Sequence, residues 1–551
     1  MALTATAPPL PEHLVRRWTA QGLRTEQRPG WVLEHAARRR PDDAAIITAD
    51  GRHTLGQLRD RADMISWALA NGGAGAGDVV TWSLPNGVEA IATAIAIWRI
   101  GAISNPVVPI YREHELAFIA GQLRPAAVIS ATDVRGRAGC EEMDLALAAA
   151  GHEPRLRLAL GAPAGGGRWA PLPQPDPERP PPALPEDLAP APAHAPCLVL
   201  YTSGTTAQPK GVVHSGCALV HEAFSMQREW GLTYRETMVM ASPLPHITGI
   251  LQGLLVPCLA GARVLLTDRW DPEACVELIE REGGTYMAGA TPFLRGVLDA
   301  YAARGPGRPQ LRQFCCGGAP VSPALIEEAQ RAGIVAHRSW GLTELPSATF
   351  SRTIDPLRQR AETDGRPGEG IEVEAVDDER APLPRGAEGE LRIRGPERME
   401  GYVDAALNAG AMDDDGWVYT GDVGLVDRDG CVRVTGRLKD IVNRGGEKLS
   451  AREIEELLER HDSIREAAVV PVPDERLGET VGAAVVLRPG DVLDLPAILR
   501  FLRGLGLASQ KLPARVQAVN ELPRTPSGKL QKHLVLRQLG EEETRRTGAR
   551  Q

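Results

Sequence analysis

Tyr201-Thr202-Ser203-Gly204-Thr205-Thr206-Ala207-Gln208-Pro209-Lys210-Gly211 is the stretch that decides how this chain is read. It follows a short apolar run, Cys197 to Leu200, that predicts a strand. Consecutive small residues let backbone N–H groups converge on an anion, the hydroxyls add donors, and Lys210 supplies positive charge. The bland alternative is a flexible Ser/Thr/Gly turn. The closing Pro-Lys-Gly favours a phosphate cradle. The order G-x-x-x-x-G-K-[ST] is absent, so this is no Walker loop.

Outward from that loop, helix and strand patterns alternate. Thr54-Leu55-Gly56-Gln57 predicts a capping box, and Leu58, Ala62, Ile65 and Leu69 follow at helical spacing. Val79 to Leu84 reads as a strand, Val88 to Ile100 as an apolar helix, and Ala102 to Val108 as a further strand. Such alternation predicts a layered α/β sheet. Gly161 to Pro196 is dominated by Pro, Ala and Gly and is expected to be a surface excursion without a core. Near Arg437 to Lys439 the pattern resets. Ser450-Ala451-Arg452-Glu453 opens an amphipathic helix, and strands are expected over Ala467 to Val472 and Val481 to Leu487. The fold class is therefore α/β, with a large N-terminal domain of layered α/β subdomains, residues 1–437, and a small mobile α+β C-terminal domain, residues 438–551.

Composition narrows the function. The chain has 551 residues, 43% of them hydrophobic, and a net charge of −9 without a long basic run, which argues against a nucleic-acid or anionic-membrane surface. No secretory signal or anchor is readable at the N-terminus, and the apolar stretch Ile247 to Leu266 is broken by Gln252, Pro257 and Arg263. A buried helix running into a strand is expected there. Eight cysteines without a metal-like spacing point to a reducing, cytoplasmic setting. Lysine is scarce: only Lys210, Lys439, Lys448, Lys511, Lys529 and Lys532 occur among 62 Lys+Arg. Five of those six lie after residue 438, several beside glycine turns, so their placement carries information.

On the string from Thr202 to Gly211, the chain resembles the acyl-adenylate-forming ligases, a family that includes acyl-CoA synthetases, firefly luciferases and the adenylation domains of peptide synthetases. The resemblance implies that Thr202, Ser203, Gly204, Thr205, Thr206 and Lys210 close over the β- and γ-phosphates of ATP. The family's further motifs occur in order. Gly317-Gly318-Ala319-Pro320 is similar to the segment that flanks adenine, and Trp340-Gly341-Leu342-Thr343-Glu344 to the aromatic-Gly-x-Thr-Glu motif. A flat aromatic at 340, where tyrosine is usual, suits an adenine wall. Thr343 suits the α-phosphate, and Glu344 suits Mg²⁺, with Thr202 as a second metal candidate.

Tyr419-Thr420-Gly421-Asp422 resembles the ribose motif, with Asp422 accepting both hydroxyls and Arg437 assisting. Lys439 occupies the family's hinge position. Pro523-Arg524-Thr525-Pro526-Ser527-Gly528-Lys529 resembles the terminal lysine loop, and a mobile ammonium there answers the repulsion between a carboxylate and the α-phosphate. Asn443-Arg444-Gly445-Gly446-Glu447-Lys448 is similar to the face used in the second step, where Gly445 and Gly446 admit pantetheine and Lys448 meets coenzyme A. Lys532 is assigned no such role.

For the acyl pocket the candidates are His246 and Gly249 at its entrance and Gly289 and Ala290 on its wall. The absence of the aspartate that peptide-synthetase domains carry near His246 disfavours an amino acid substrate. Asn105 to Leu116 resembles the cyclohexanecarboxylate-CoA ligase branch and its relatives for aromatic acids, so a cyclic or aromatic acid is expected. The implied activity is ATP-dependent acid–CoA ligation through an acyl-AMP, using ATP, Mg²⁺ and coenzyme A, by a monomer or homodimer. Delivery to a separate carrier protein is the alternative, and a nucleotide-binding regulator without chemistry is a third reading.

Overall fold

The computed structural model describes residues 7–162, 167–176, 178–179, 181–184, 191–202, 209–444, 447–474 and 476–548, with side chains through residue 540. Two large sheets carry the N-terminal domain. The first has eight strands in the order Gly401–Tyr402, Lys210–Ser215, Pro196–Thr202, Ile103–Pro106, Val79–Ser83, Ala127–Ala131, Leu156–Leu160 and Ala170–Pro171. The second has seven strands, Val335–Ser339, Gln313–Gly317, Tyr286–Gly289, Thr237–Met240, Arg263–Leu266, Ala44–Thr48 and Gly51–Thr54, all parallel except the last pair.

Local sequence explains the helices between them. Thr54 accepts from the Gln57 N–H, and the Gln57 side chain accepts from the Thr54 N–H in return, so the capping box starts helix Leu55–Asn71 where it is expected. A cap of this kind contributes about 1 kcal/mol. Helix Val88–Arg99 is apolar on every face beyond its first turn because it is buried on every face there, from Ala90 through Trp98. The apolar stretch after His246 folds as three contiguous helical pieces, Ile247–Ile250, Leu251–Leu255 and Val256–Ala260, the middle one a π-turn, and then as strand Arg263–Leu266. Among the described residues no helix is long and apolar enough to cross a membrane.

A four-stranded antiparallel sheet, Glu372–Val376, Gly389–Arg394, Val418–Val426 and Val432–Arg437, closes the large domain. The smaller C-terminal domain packs helices Ala451–Leu458, Leu495–Gly504 and Lys532–Gly548 with a sheet whose longest members are Ile464–Asp474 and Gly478–Leu487. Ser450 caps the first of these helices through the Glu453 N–H, and Ile454 and Leu458 fill the core beneath it. Strands here run longer than their apolar cores suggest, because a two-stranded antiparallel ladder continues through Pro473↔Glu479 irrespective of polarity.

The Pro-rich stretch after Gly161 is not wholly a surface excursion. Ala170–Pro171 adds to the edge of the eight-stranded sheet, the Trp169 indole donates to Asp144, and Leu172 is buried. A few apolar residues among the prolines suffice to dock the described part.

Candidate functional site

Three neighbouring parallel strands end together, and the motifs sit on their carboxyl ends, where an open α/β sheet leaves a crevice for ligands. Gly289-Ala290 follows one strand, Gly317-Gly318-Ala319-Pro320 the next, and Trp340 to Glu344 the third. Sterics fix the turns. A Cβ at Gly317 would lie 2.6 Å from the Ser339 carbonyl oxygen, and one at Gly341 would lie 2.0 Å from that of Pro346. At Gly289 the direction of a Cβ is filled by Phe293, 3.1 Å away, and at Gly249 by the Pro243 carbonyl oxygen, 2.4 Å away. Close packing requires glycine at both, whatever room they leave for an acyl group.

Glu344 is held from three sides. Its carbonyl accepts from the Met399 N–H at 2.8 Å, its carboxylate Oε1 accepts from the Tyr402 hydroxyl at 2.6 Å, and the preceding Thr343 carbonyl meets His214 Nε2 at 2.7 Å. A carbonyl only accepts, so His214 carries its proton on Nε2. Burial lowers the His214 pKa to about 4 and keeps the ring neutral. Burial and the adjacent Glu344 raise the Tyr402 pKa, which keeps its hydroxyl a donor. Lys210 lies 5.5 Å from the centre of the Tyr402 ring and pairs across the hairpin with Thr202. Ser203, Gly204, Thr205 and Thr206, between them, lie outside the described residues, as do Gly445 and Gly446.

Asp422 faces Arg437 across adjacent antiparallel strands, and Arg437 Nε donates to its Oδ1 at 2.6 Å. The Trp340 indole Nε1 donates to Oδ2 at 2.8 Å. Lys529 arrives from the small domain. A Cβ on Gly318 would lie 4.0 Å from Lys529 Cε, and one on Gly528 would lie 2.9 Å from the Ala290 Cβ. Burial and then Arg437 lower the Lys529 pKa, while Glu344 and Asp422 oppose them, so the ammonium stands among the site's charges. Its loop is braced from within: Thr525 N–H donates to the Lys529 carbonyl at 2.8 Å, Lys529 N–H to Thr525 Oγ1 at 3.1 Å, and Arg524 to the Gly528 carbonyl at 3.0 Å.

His246 caps helix Ile247–Ile250, its Nδ1 accepting from the Thr248 N–H at 3.3 Å. Burial, then the Lys529 charge, lowers its pKa to about 3, leaving a neutral ring at the entrance. Lys439 lies in the turn Leu438–Asp440, with its pKa lowered by burial and then by Arg437. Lys448 stands apart on the surface, 3.3 Å from Asp378. A carboxylate that is already oriented, Glu344, offers the hard oxygen that Mg²⁺ takes.

Residues 33–403 match the AMP-binding enzyme family, and residues 453–529 match the AMP-binding enzyme C-terminal domain. The chain belongs to this family. Among its relatives is the medium-chain fatty-acid–CoA ligase of Escherichia coli K12, 35% identical, aligned over 94% of this chain and 91% of the relative. A salicylyl-CoA synthase / salicylate adenylyltransferase from a Streptomyces species is 32% identical over 95% of this chain and 96% of its own. The crystal structure of ATP-bound MatB from Rhodopseudomonas palustris superposes with a TM-score of 0.80 at 25% identity, covering 93% of this chain and 99% of that one. This AMP-binding enzyme is thus a member of the acyl-adenylate-forming ligases, with their large and small domains.

Sequence reasoning did not single out Tyr402 or His214. Tyrosine is nearly as scarce as lysine here, seven against six in the chain, and Tyr402 directly follows Gly401. That scarcity was the available signal. Lys532, assigned no role, bridges Asp440 at 3.7 Å and Glu455 at 2.8 Å and so fastens the turn that holds Lys439.

Proposed function

We propose that this enzyme is an ATP-dependent carboxylic acid–CoA ligase that adenylates a ring-bearing acid and transfers the acyl group to coenzyme A. The observation that carries the proposal is the arrival of Lys529 over the strand ends, its Cε 4.0 Å from where a Cβ on Gly318 would lie, within reach of the charges of Glu344 and Asp422. In the first step a carboxylate oxygen attacks the α-phosphorus, an O–P bond forms, and pyrophosphate leaves with the electrons of the bond that breaks. Both reactants are anions. The Lys529 ammonium, reaching across the gap between domains, offsets their repulsion, and the backbone-rich loop with Lys210 takes the β- and γ-phosphates. Thr343 is the donor for the α-phosphate. Glu344 and Thr202 would hold Mg²⁺, which supplies further charge neutralisation on the phosphates when bound.

In the second step the coenzyme A thiol attacks the acyl carbon, a C–S bond forms, the C–O bond to AMP breaks, and the thiol proton is released. That step needs Lys529 to withdraw. Rotation about Lys439 would bring Gly445, Gly446 and Lys448 to the acyl-AMP in its place. Residues 1–437 and 438–551 are the two bodies of this motion.

A neutral His246 offers neither an acid for an α-amino group nor a cation for a second carboxylate, which supports a monocarboxylate with an apolar body. The salicylate-named and medium-chain-named relatives fit the same class. Eight unpaired thiols suit a reducing, cytoplasmic setting. The test is a panel of benzoate, salicylate, cyclohexanecarboxylate, octanoate and free amino acids, scored for pyrophosphate exchange and for thioester with coenzyme A or with a pantetheinylated carrier. Ring acids with coenzyme A should give the highest kcat/KM. Preference for an amino acid, or for the carrier, would refute the assignment.

A further inference from the structure

The Trp340 indole stands beside the strand end that carries the aromatic-Gly-x-Thr-Glu motif, and its N–H points away from solvent into Asp422. Its backbone is clamped. The Trp340 N–H donates to Thr349 Oγ1 at 3.1 Å, the Thr349 N–H donates to the Trp340 carbonyl at 3.1 Å, and Thr349 Oγ1 donates to the Asp364 carbonyl at 2.5 Å. The ring, 7% exposed, packs in the main hydrophobic cluster. Such a side chain cannot swing to follow a ligand.

Lone pairs decide what this does. An ionised carboxylate accepts at about four sites. At Asp422, Arg437 Nε takes one on Oδ1 and Trp340 Nε1 takes one on Oδ2. No other described residue bonds to the carboxylate, which leaves two, the number that two vicinal ribose hydroxyls require. An indole only donates, whereas a tyrosine hydroxyl would also accept and could draw one ribose hydroxyl to itself. Tryptophan at this position is therefore committed to the carboxylate.

We infer that Trp340 is a positioning residue for ribose recognition: its N–H fixes Asp422 so that both free lone pairs face the 2′- and 3′-hydroxyls. This rests on the reading of Asp422 as the ribose acid, and it adds a second role to that of a flat wall for adenine. The two roles separate in experiment, because a stacking wall acts alike on every adenine nucleotide while a ribose-acid positioner acts only where ribose hydroxyls exist.

The test compares wild type, W340F, D422N and a variant carrying the benzothiophene isostere of tryptophan at 340, which keeps the bicyclic shape and lacks the N–H. Binding of ATP and of 2′,3′-dideoxy-ATP is measured calorimetrically without any acid or coenzyme A, and KM and kcat for ATP are then measured with an accepted acid. W340F and the isostere should each weaken ATP by about tenfold, the scale of one hydrogen bond to a charged group, with KM changed more than kcat. Against dideoxy-ATP the isostere, which keeps the wall, should bind like wild type, and W340F should lose less than it does with ATP. Equal losses with ATP and dideoxy-ATP, or no loss with ATP for the isostere, overturn the inference. D422N guards the premise. If it too treats both nucleotides alike, Asp422 is not the ribose acid, and the inference falls together with that reading of the site.

Discussion

On the proposed function, Lys529 is the residue on which adenylation should depend most. The charge it places beside Glu344 and Asp422 is the only lysine charge drawn from the small domain's terminal loop. Lys529→Ala should lower acid-dependent pyrophosphate exchange by at least ~10²-fold, the scale for losing one transition-state charge contact. Near-normal exchange would remove Lys529 from the chemistry. Tyr402 acts one step back. Its hydroxyl orients Glu344, so Tyr402→Phe should leave the fold intact and weaken the apparent Mg²⁺ affinity in the same assay by about tenfold. An unchanged Mg²⁺ titration would show that Glu344 needs no orienting. Lys529 and Glu344 were legible in the sequence because each sits inside a contiguous motif. Tyr402 reaches Glu344 across 58 residues and Trp340 reaches Asp422 across 82, distances that only the tertiary fold closes.

Among the elements, those with a local signature were readable and those made by pairing were less so. Thr54 and Ser450 announce their helices because a capping side chain bonds only three residues away. The edge strand Ala170–Pro171 exists through its partner Leu156–Leu160 and leaves no periodicity of its own. The Thr525 to Lys529 turn is readable in part: Gly528 adopts φ +84°, a conformation that favours glycine. Gly528→Ala would cost roughly 1–2 kcal/mol of local strain and place a methyl 2.9 Å from the Ala290 Cβ. That contact belongs to the arrangement with Lys529 inserted. The variant should therefore lose pyrophosphate exchange severalfold or more while still converting supplied acyl-AMP and coenzyme A to thioester at close to the wild-type rate. Equal loss in both half-reactions would show that the loop serves both steps.

At the scale of the whole molecule, stability reflects buried groups that hold the uncharged form. His214, His221 and His337 are buried, and burial lowers their pKa values to about 4, about 4 and about 3. Glu222 and Glu397 lie buried against each other behind the Glu344 loop, with Ser347 beside Glu222. Burial pushes Glu222 up to about 8, and burial with the Glu222 charge pushes Glu397 well above an ordinary glutamate. The two sets act in opposite senses. Below about 6.5 the unfolded histidines take protons that the folded ones refuse, so acid removes stability, by about 1.4 kcal/mol per pH unit for each histidine. Above an ordinary glutamate pKa of 4.5 the folded acid pair keeps protons that the unfolded chain has released, so rising pH removes stability until the folded pair ionises near 8 or beyond. Between 4.5 and 6.5 the lowered histidines, His246 among them, outnumber the raised acids, so stability still rises with pH, only less steeply. From 6.5 to 8 the histidines are neutral in both states, and the raised acids set the slope: the Glu222–Glu397 pair together with Glu459, which burial and then Glu455 push up to about 8. The melting temperature should therefore pass its maximum near pH 6.5 and fall toward pH 8, and Glu222→Gln, which keeps the shape without the titrating proton, should make that alkaline limb shallower, with Glu397 and Glu459 keeping part of it. Thermal melts of both proteins across pH 5 to 9 decide it, and a wild-type melting temperature that stays level or climbs from 6.5 to 8 would mean that Glu222 and Glu397 do not share the buried, protonated arrangement seen here.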